Sequence, residues 1–161
     1  MGVNYALTRL WALADRFPEW QKPSFSQPSS PDGIRELERV AGSPLPDDLR
    51  EFLLRHDEVR AMDIHNGYWL GGTALLTQSV LRGDFPKAVI SGGCPIRVLL
   101  EATDGGGNGF LVSLDDGRVW RWEDESGSAV QVAASFPEFL GRVAEDWEHA
   151  AADDRDWPFH V

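Results

Sequence analysis

An α+β fold follows from three features of this 161-residue sequence. Apolar residues recur at helical spacing near both ends of the chain. Short alternating segments separated by glycine turns fill the stretch from Ile96 to Val132. No internal repeat or linker divides the two patterns. The reading is one domain over residues 1–161, an antiparallel twisted sheet flanked by N-terminal and C-terminal helices.

The elements follow in order. Val3, Leu7, Leu10, Ala14 and Phe17 form one face of a first helix, with Trp11 beside it and Pro18 ending it. Residues 21–30 hold Pro23, Pro28 and four serines, which reads as a loop. Ser30-Pro31-Asp32 opens a second helix. Serine caps, proline suits the first helical position, and the aspartate favours the positive end of the dipole. Ile34, Leu37 and Val40 to Ala41 face inward, and Gly42 ends the helix. A third helix runs from Leu45 to Arg55, with Leu49, Phe52 and Leu53 as its buried stripe. Asp63 to Leu70 reads as a strand, Gly71-Gly72 as a turn, and Ala74 to Leu81 as a short helix closed by Gly83.

The β region comes next. Ile96, Val98 and Leu100 alternate with Arg97, Leu99 and Glu101. Gly105 to Gly109 is a turn, Phe110 to Leu114 returns, and Asp115-Asp116-Gly117 makes a hairpin. Val119 to Glu123 is a third strand, with a short strand around Ala129 to Val132. Ser135 caps a final helix striped by Phe139, Leu140, Val143 and Trp147. The acidic tail, 153–161, is expected to fray.

Composition narrows the function. Hydrophobic residues make up 42% and charged residues 25%, an ordinary globular balance. The single cysteine, Cys94, excludes an internal disulfide and a cysteine-based zinc site; no cation or helix start adjoins it, so a buried or inert thiol is expected. Net charge is -11, which argues against general affinity for nucleic acid or anionic lipid. Residues 1–100 hold 11 basic and 12 acidic residues, whereas 101–161 hold 4 and 14. The surplus therefore lies in the last part of the chain. It is either a solvated surface or an acidic face for a basic partner. No basic region precedes an apolar run at the start, and the longest uncharged stretch, Ile64 to Leu81, is too polar and glycine-rich to span a bilayer. A cytoplasmic protein is expected.

Chemistry-bearing motifs are sparse. Gly105 to Gly109 precedes a strand and lacks the Lys-Ser/Thr and helix start of a phosphate loop, so it is a turn. His56, Asp57, Asp63 and His65 lie close enough in sequence to raise a metal site, but their spacing is not diagnostic. The paired carboxylates at 47–48, 115–116, 123–125 and 153–154 read as solvent-facing, and no catalytic residue, metal or cofactor is assigned. Trp120 and Trp122 share one strand face, with Arg121 opposite. They are either core or an exposed platform, and the acidic triplet Glu123-Asp124-Glu125 follows them directly.

Four segments in sequence carry a resemblance. Leu45-Pro46-Asp47-Asp48-Leu49 through Leu53 resembles the L-P-x-D helix of the SUKH superfamily, preceded by an I-x-x-x-E helix matched by Ile34 and Glu38. Asp104-Gly105-Gly106-Gly107-Asn108-Gly109-Phe110 is similar to its glycine-rich hairpin. Gly117 to Glu123 resembles the strand that follows, and Ser135-Phe136-Pro137-Glu138-Phe139-Leu140 the start of its last helix. The similarity covers roughly residues 30–150. It implies an immunity protein that binds and neutralises a polymorphic toxin, often a nuclease, without being an enzyme; other members look like regulatory or scaffold proteins. The expected partner is a basic toxin rather than nucleic acid or membrane. The candidate contacts are Asp104, Asn108, Trp120, Glu123, Asp124 and Glu125. A small-ligand or enzymatic role through His56 or His65 is the third reading.

Overall fold

The computed structural model describes residues 1–159. Among these residues five helices and eight strands share one apolar core. The helices are α1 (Val3–Ala14), α2 (Pro31–Ala41), α3 (Asp47–Leu53), α4 (Thr73–Arg82) and α5 (Phe136–Ala151). The strands are β1 (Ser24–Phe25), β2 (Glu58–Ala61), β3 (Tyr68–Gly71), β4 (Ala88–Ser91), β5 (Cys94–Thr103), β6 (Gly109–Ser113), β7 (Val119–Glu123) and β8 (Ser128–Ala133). All pairings are antiparallel, in the order β1-β2-β3-β5-β6-β7-β8, with β4 paired to the first part of β5.

The caps of α2 and α5 are those the sequence dictates, whereas α1 ends at Ala14, short of Pro18, and α3 is shorter than the expected Leu45–Arg55. Ser30 Oγ accepts the Gly33 N–H at 3.0 Å, Pro31 occupies the first turn, and Gly42 closes α2 at φ 70. Glu38 then holds the next connection: its carboxylate accepts the Leu45 N–H at 2.9 Å and pairs with Arg50 of α3. Ser135 caps α5 by accepting from Glu138 N, while Glu138 reaches back to Ala134 N at 2.9 Å.

Helix α5 carries one face of the sheet. Phe139, Leu140, Val143 and Trp147 are all buried, and Phe110 of β6 packs on Phe139 with centroids 4.9 Å apart. Helix α1 lies along α5, joined at its polar margin by Arg9 and Glu148 at 2.8 Å. On the other face α4 packs against β5 and α2. Both faces of the sheet's centre are thus covered, which is why every residue of β6 is buried.

Asp57 ties these layers together. Its Oδ1 accepts from Ser29 Oγ at 2.6 Å, from Thr73 N at 2.9 Å and from Thr73 Oγ1 at 2.8 Å. Burial raises a carboxyl, but here the three donors outweigh it and hold Asp57 below its ordinary range.

Five details depart from the sequence reading. Asp63 to Leu70 is not one strand: β2 and β3 form a hairpin, and Ile64 is a fully buried loop plug, so an apolar residue in a turn mimicked alternation. The proline- and serine-rich loop contains β1. The β region begins earlier than Ile96, at the β4–β5 hairpin, where Gly92 and Gly93 supply φ of 58° and 80° for a tight turn. Cys94 opens β5 at that turn and is exposed, not buried. The described part of the tail does not fray. Trp157 Nε1 donates to buried Asp146 at 2.8 Å, His149 stacks on Trp157 at 3.6 Å, and Phe159 stacks on His65 at 4.2 Å. His160 and Val161 lie outside the described residues.

Candidate interaction surface

Antiparallel register decides which turns meet. Trp69, Thr103, Gly109, Trp122 and Ala129 form one cross-strand row near one end of the sheet. Beyond it lie the β5–β6 turn, with Asp104 and Asn108, and the β7–β8 turn, with Asp124 and Glu125. Five of the six sequence-predicted contact residues therefore come together at this end.

Their roles differ. Asp104 is turned inward on its own loop: Oδ1 accepts from Gly106 N at 2.8 Å and Asn108 N at 2.9 Å, and Oδ2 accepts from Asn108 Nδ2 at 2.9 Å. This is an aspartate holding a turn. The glycines there serve packing. The Gly105 N–H donates to Asn66 O at 2.7 Å, and a side chain at 105 would strike that carbonyl. A side chain at Gly109 would strike the Phe85 ring. Glu123 pairs with Arg121 at 2.5 Å. Asp124 and Glu125 are exposed and, among the described residues, have no hydrogen-bonded or ionic partner. The sixth residue, Trp120, stands one row inward at 6% exposure beneath the Arg118 guanidinium, so its bulk belongs to the core. Trp122 is half-buried, at the margin of the same face.

Sequence reasoning missed Trp69 at this end, together with its partners Glu58 and Arg60. Trp69 is half-buried on the same face as Trp122, its Nε1 donating to Glu58 Oε2 at 3.0 Å and its ring lying 4.2 Å beneath Arg60. The available signal was the alternation Glu58, Arg60 against Val59, Ala61, obscured by reading the strand five residues late.

A second acidic concavity lies elsewhere. Asp47, Asp48, Asp115 and Asp116 line a shallow groove of about 460 Å³. Its charge is partly cancelled, because Arg97 binds Asp115 and Arg118 binds Asp116, each at 2.7 Å. Burial would raise Asp116, but bonds from Ser113 and Arg118 outweigh it and hold the carboxyl low. The β7–β8 turn carries no such cancellation.

The remaining candidates for chemistry are engaged structurally. His56 Nε2 accepts from Trp11 Nε1 at 3.2 Å, so its Nδ1 carries the proton and donates to Ser26 O at 2.6 Å. With Asp57 in its bracket and His65 against Phe159, the proposed histidine–aspartate group is dispersed. Among the described residues no three His, Cys, Asp or Glu are gathered to hold a metal. An apolar cleft of about 360 Å³ opens beside α4, between Val80, Phe85 and Leu100; its titratable lining residues, Lys87 and Arg97, are both cations and form no acid–base pair. Glu101 was expected to alternate outward. It sits instead at a bulge in β5, with 0% exposure and no partner for either oxygen, and burial pushes its carboxyl well above the ordinary range.

The family model described as SMI1/KNR4 (SUKH-1) matches residues 28–142, from the approach to α2 into the first turns of α5. The chain belongs to the SMI1/KNR4 family. The matched region contains the Ser30 cap, the Glu38 clasp, the Asp104 turn and the Ser135 cap. SUKH-1 membership is compatible with an immunity or regulatory role. Helix α1 and the tail beyond 142 lie outside the matched region. No curated protein matches the chain. Among the described residues no helix is long and apolar enough to cross a membrane.

Proposed function

We propose that this SMI1/KNR4-family chain is a non-catalytic, cytoplasmic binding domain that neutralises a basic toxin, a nuclease in the leading case, by covering it with the acidic end of the sheet. One observation carries the reading. Nearly every arginine is already held in an ion pair, while Asp124 and Glu125 stand exposed and unopposed beside half-buried aromatics. Unopposed carboxylates on an exposed turn attract a cationic surface and quicken its capture, and flanking aromatics supply apolar contact. A nuclease gathers Lys and Arg around its substrate groove, so an acidic protein competes there with nucleic acid.

The test is co-expression with a candidate basic toxin drawn from the neighbouring open reading frames. The reading expects a co-purifying complex and loss of that protein's toxicity. Normal toxicity in the presence of folded chain overturns it.

A further inference from the structure

Among the described residues strands β1, β4 and β8 each present an outer edge that no strand pairs with, and these edges are not equivalent. Strand β1 is two residues long and follows Pro23, so it offers little to pair with. Strand β4 is four residues long and preceded by Lys87, beside the cleft that Arg97 also lines. Strand β8 has six residues, Ser128-Ala129-Val130-Gln131-Val132-Ala133, without a charge or a proline. Among the described residues no strand pairs with its outer edge.

Soluble proteins guard long edges with lysines, prolines, bulges or covering segments. Here one guard is present and only at one end. The register passes from Gln131 opposite Trp120 to Ala133 opposite Val119, so Val132 is an unpaired bulge. Ser128 to Gln131 remains a regular ladder, and it abuts the acidic turn. Val130 is 55% exposed on one face of this ladder. On the other face Ala129 is too small to screen the Trp122 ring in the neighbouring strand.

We propose that the outer edge of β8, over Ser128–Gln131, receives an extended segment of a basic partner protein as an added strand, with Lys or Arg of that segment against Asp124 and Glu125. Main-chain hydrogen bonds complete the ladder, and alternate side chains meet Val130 and Ala129. Charge selects the edge: a basic strand is attracted at β8 and opposed at β4 by Lys87. This inference rests on the basic-partner reading above and adds to it a binding mode.

The probe is an end-capped synthetic peptide of two lysines followed by alternating threonine and valine. Its control carries glutamates in place of the lysines. Amide exchange and chemical shifts are followed by NMR on the full chain. At saturating lysine peptide, outward-facing amides within Ser128–Gln131 are expected to slow by about tenfold or more. Glu125→Gln combined with Asp124→Asn is expected to weaken binding about threefold to tenfold. Val130→Lys, at an exposed site the fold tolerates, is expected to abolish it. Shifts confined to the acidic turn, with β8 amides unprotected, overturn strand addition and leave the acidic-face reading standing. Protection at Ala88–Ser91 instead, or equal binding of the glutamate peptide, overturns the choice of edge and partner. Absence of any response overturns strand addition, while the co-expression experiment still judges the function.

Discussion

Replacing Glu101 with methionine should stabilise this protein, and should do so in a pH-dependent way. Glu101 is fully buried at the β5 bulge with neither oxygen bonded. Burial raises its carboxyl well above the ordinary range. Folding therefore takes up a proton once the unfolded chain has lost it. The cost is absent below the ordinary carboxylate range. It grows at up to about 1.4 kcal/mol per pH unit as pH rises, until the folded group itself ionises. A neutral but unpaired buried polar group costs a further 1–3 kcal/mol, roughly. Methionine fills a similar volume with no group to desolvate. Urea unfolding of wild type, Glu101→Met and Glu101→Gln from pH 4.5 to 8 is the assay. Glu101→Met should exceed wild type by about 2 kcal/mol or more at pH 7.5, with the gap narrowing towards pH 4.5. Glu101→Gln should lose the pH-dependent component while retaining a buried amide. Asp57, held low, works oppositely in every variant, so the difference between variants isolates residue 101. A gap constant across pH, or a methionine variant less stable than wild type at pH 7.5, refutes the reasoning.

Other predictions follow from particular contacts. Asp57→Ala removes the acceptor shared by Ser29 and Thr73 and should cost about 2–3 kcal/mol in denaturant unfolding; the loss should shrink as pH falls through the depressed range of Asp57, since the wild-type carboxylate is then protonated. Trp157→Ala takes a donor from buried Asp146 and the stacking partner from His149, so the tail should become protease-sensitive with a loss of about 1–2 kcal/mol. Gly109→Ala drives a methyl into Phe85 and should lower stability by about 1–3 kcal/mol, measured by thermal unfolding. Cys94 should react fully with a thiol reagent in native buffer, at the same extent as in denaturant.

Residue chemistry that acts locally was legible in the sequence. Ser30 and Ser135 cap, Gly42 and Gly83 stop helices, and the stripe of α5 packs because each depends on neighbours three or four residues away. Features set by distant partners were not. Ile64 reads as part of a strand until the loop that buries it is known. Glu101 reads as outward until a bulge, invisible to simple alternation, moves it. The tail reads as acidic coil because Trp157 finds Asp146 and Phe159 finds His65 only in three dimensions. For the candidate surface, adjacency of Trp122 and the acidic triplet was visible along one strand. Trp69 joins them through register across β5 and β6, which no local pattern encodes. For Asp104 and Asn108 residue type was legible, but not that their hydrogen bonds close on each other.

The central claim is that unopposed carboxylates at the β7–β8 end engage a cationic protein. Its most direct measurement is the dissociation constant of the complex with a basic protein that co-purifies with the chain, titrated in salt, for wild type, for Asp124→Asn with Glu125→Gln, and for Asp47→Asn with Asp48→Asn. Affinity should fall steeply as salt rises, and the 124–125 pair should weaken binding and flatten that slope while the 47–48 pair changes little. A salt-insensitive complex, or one equally indifferent to both pairs, contradicts the account.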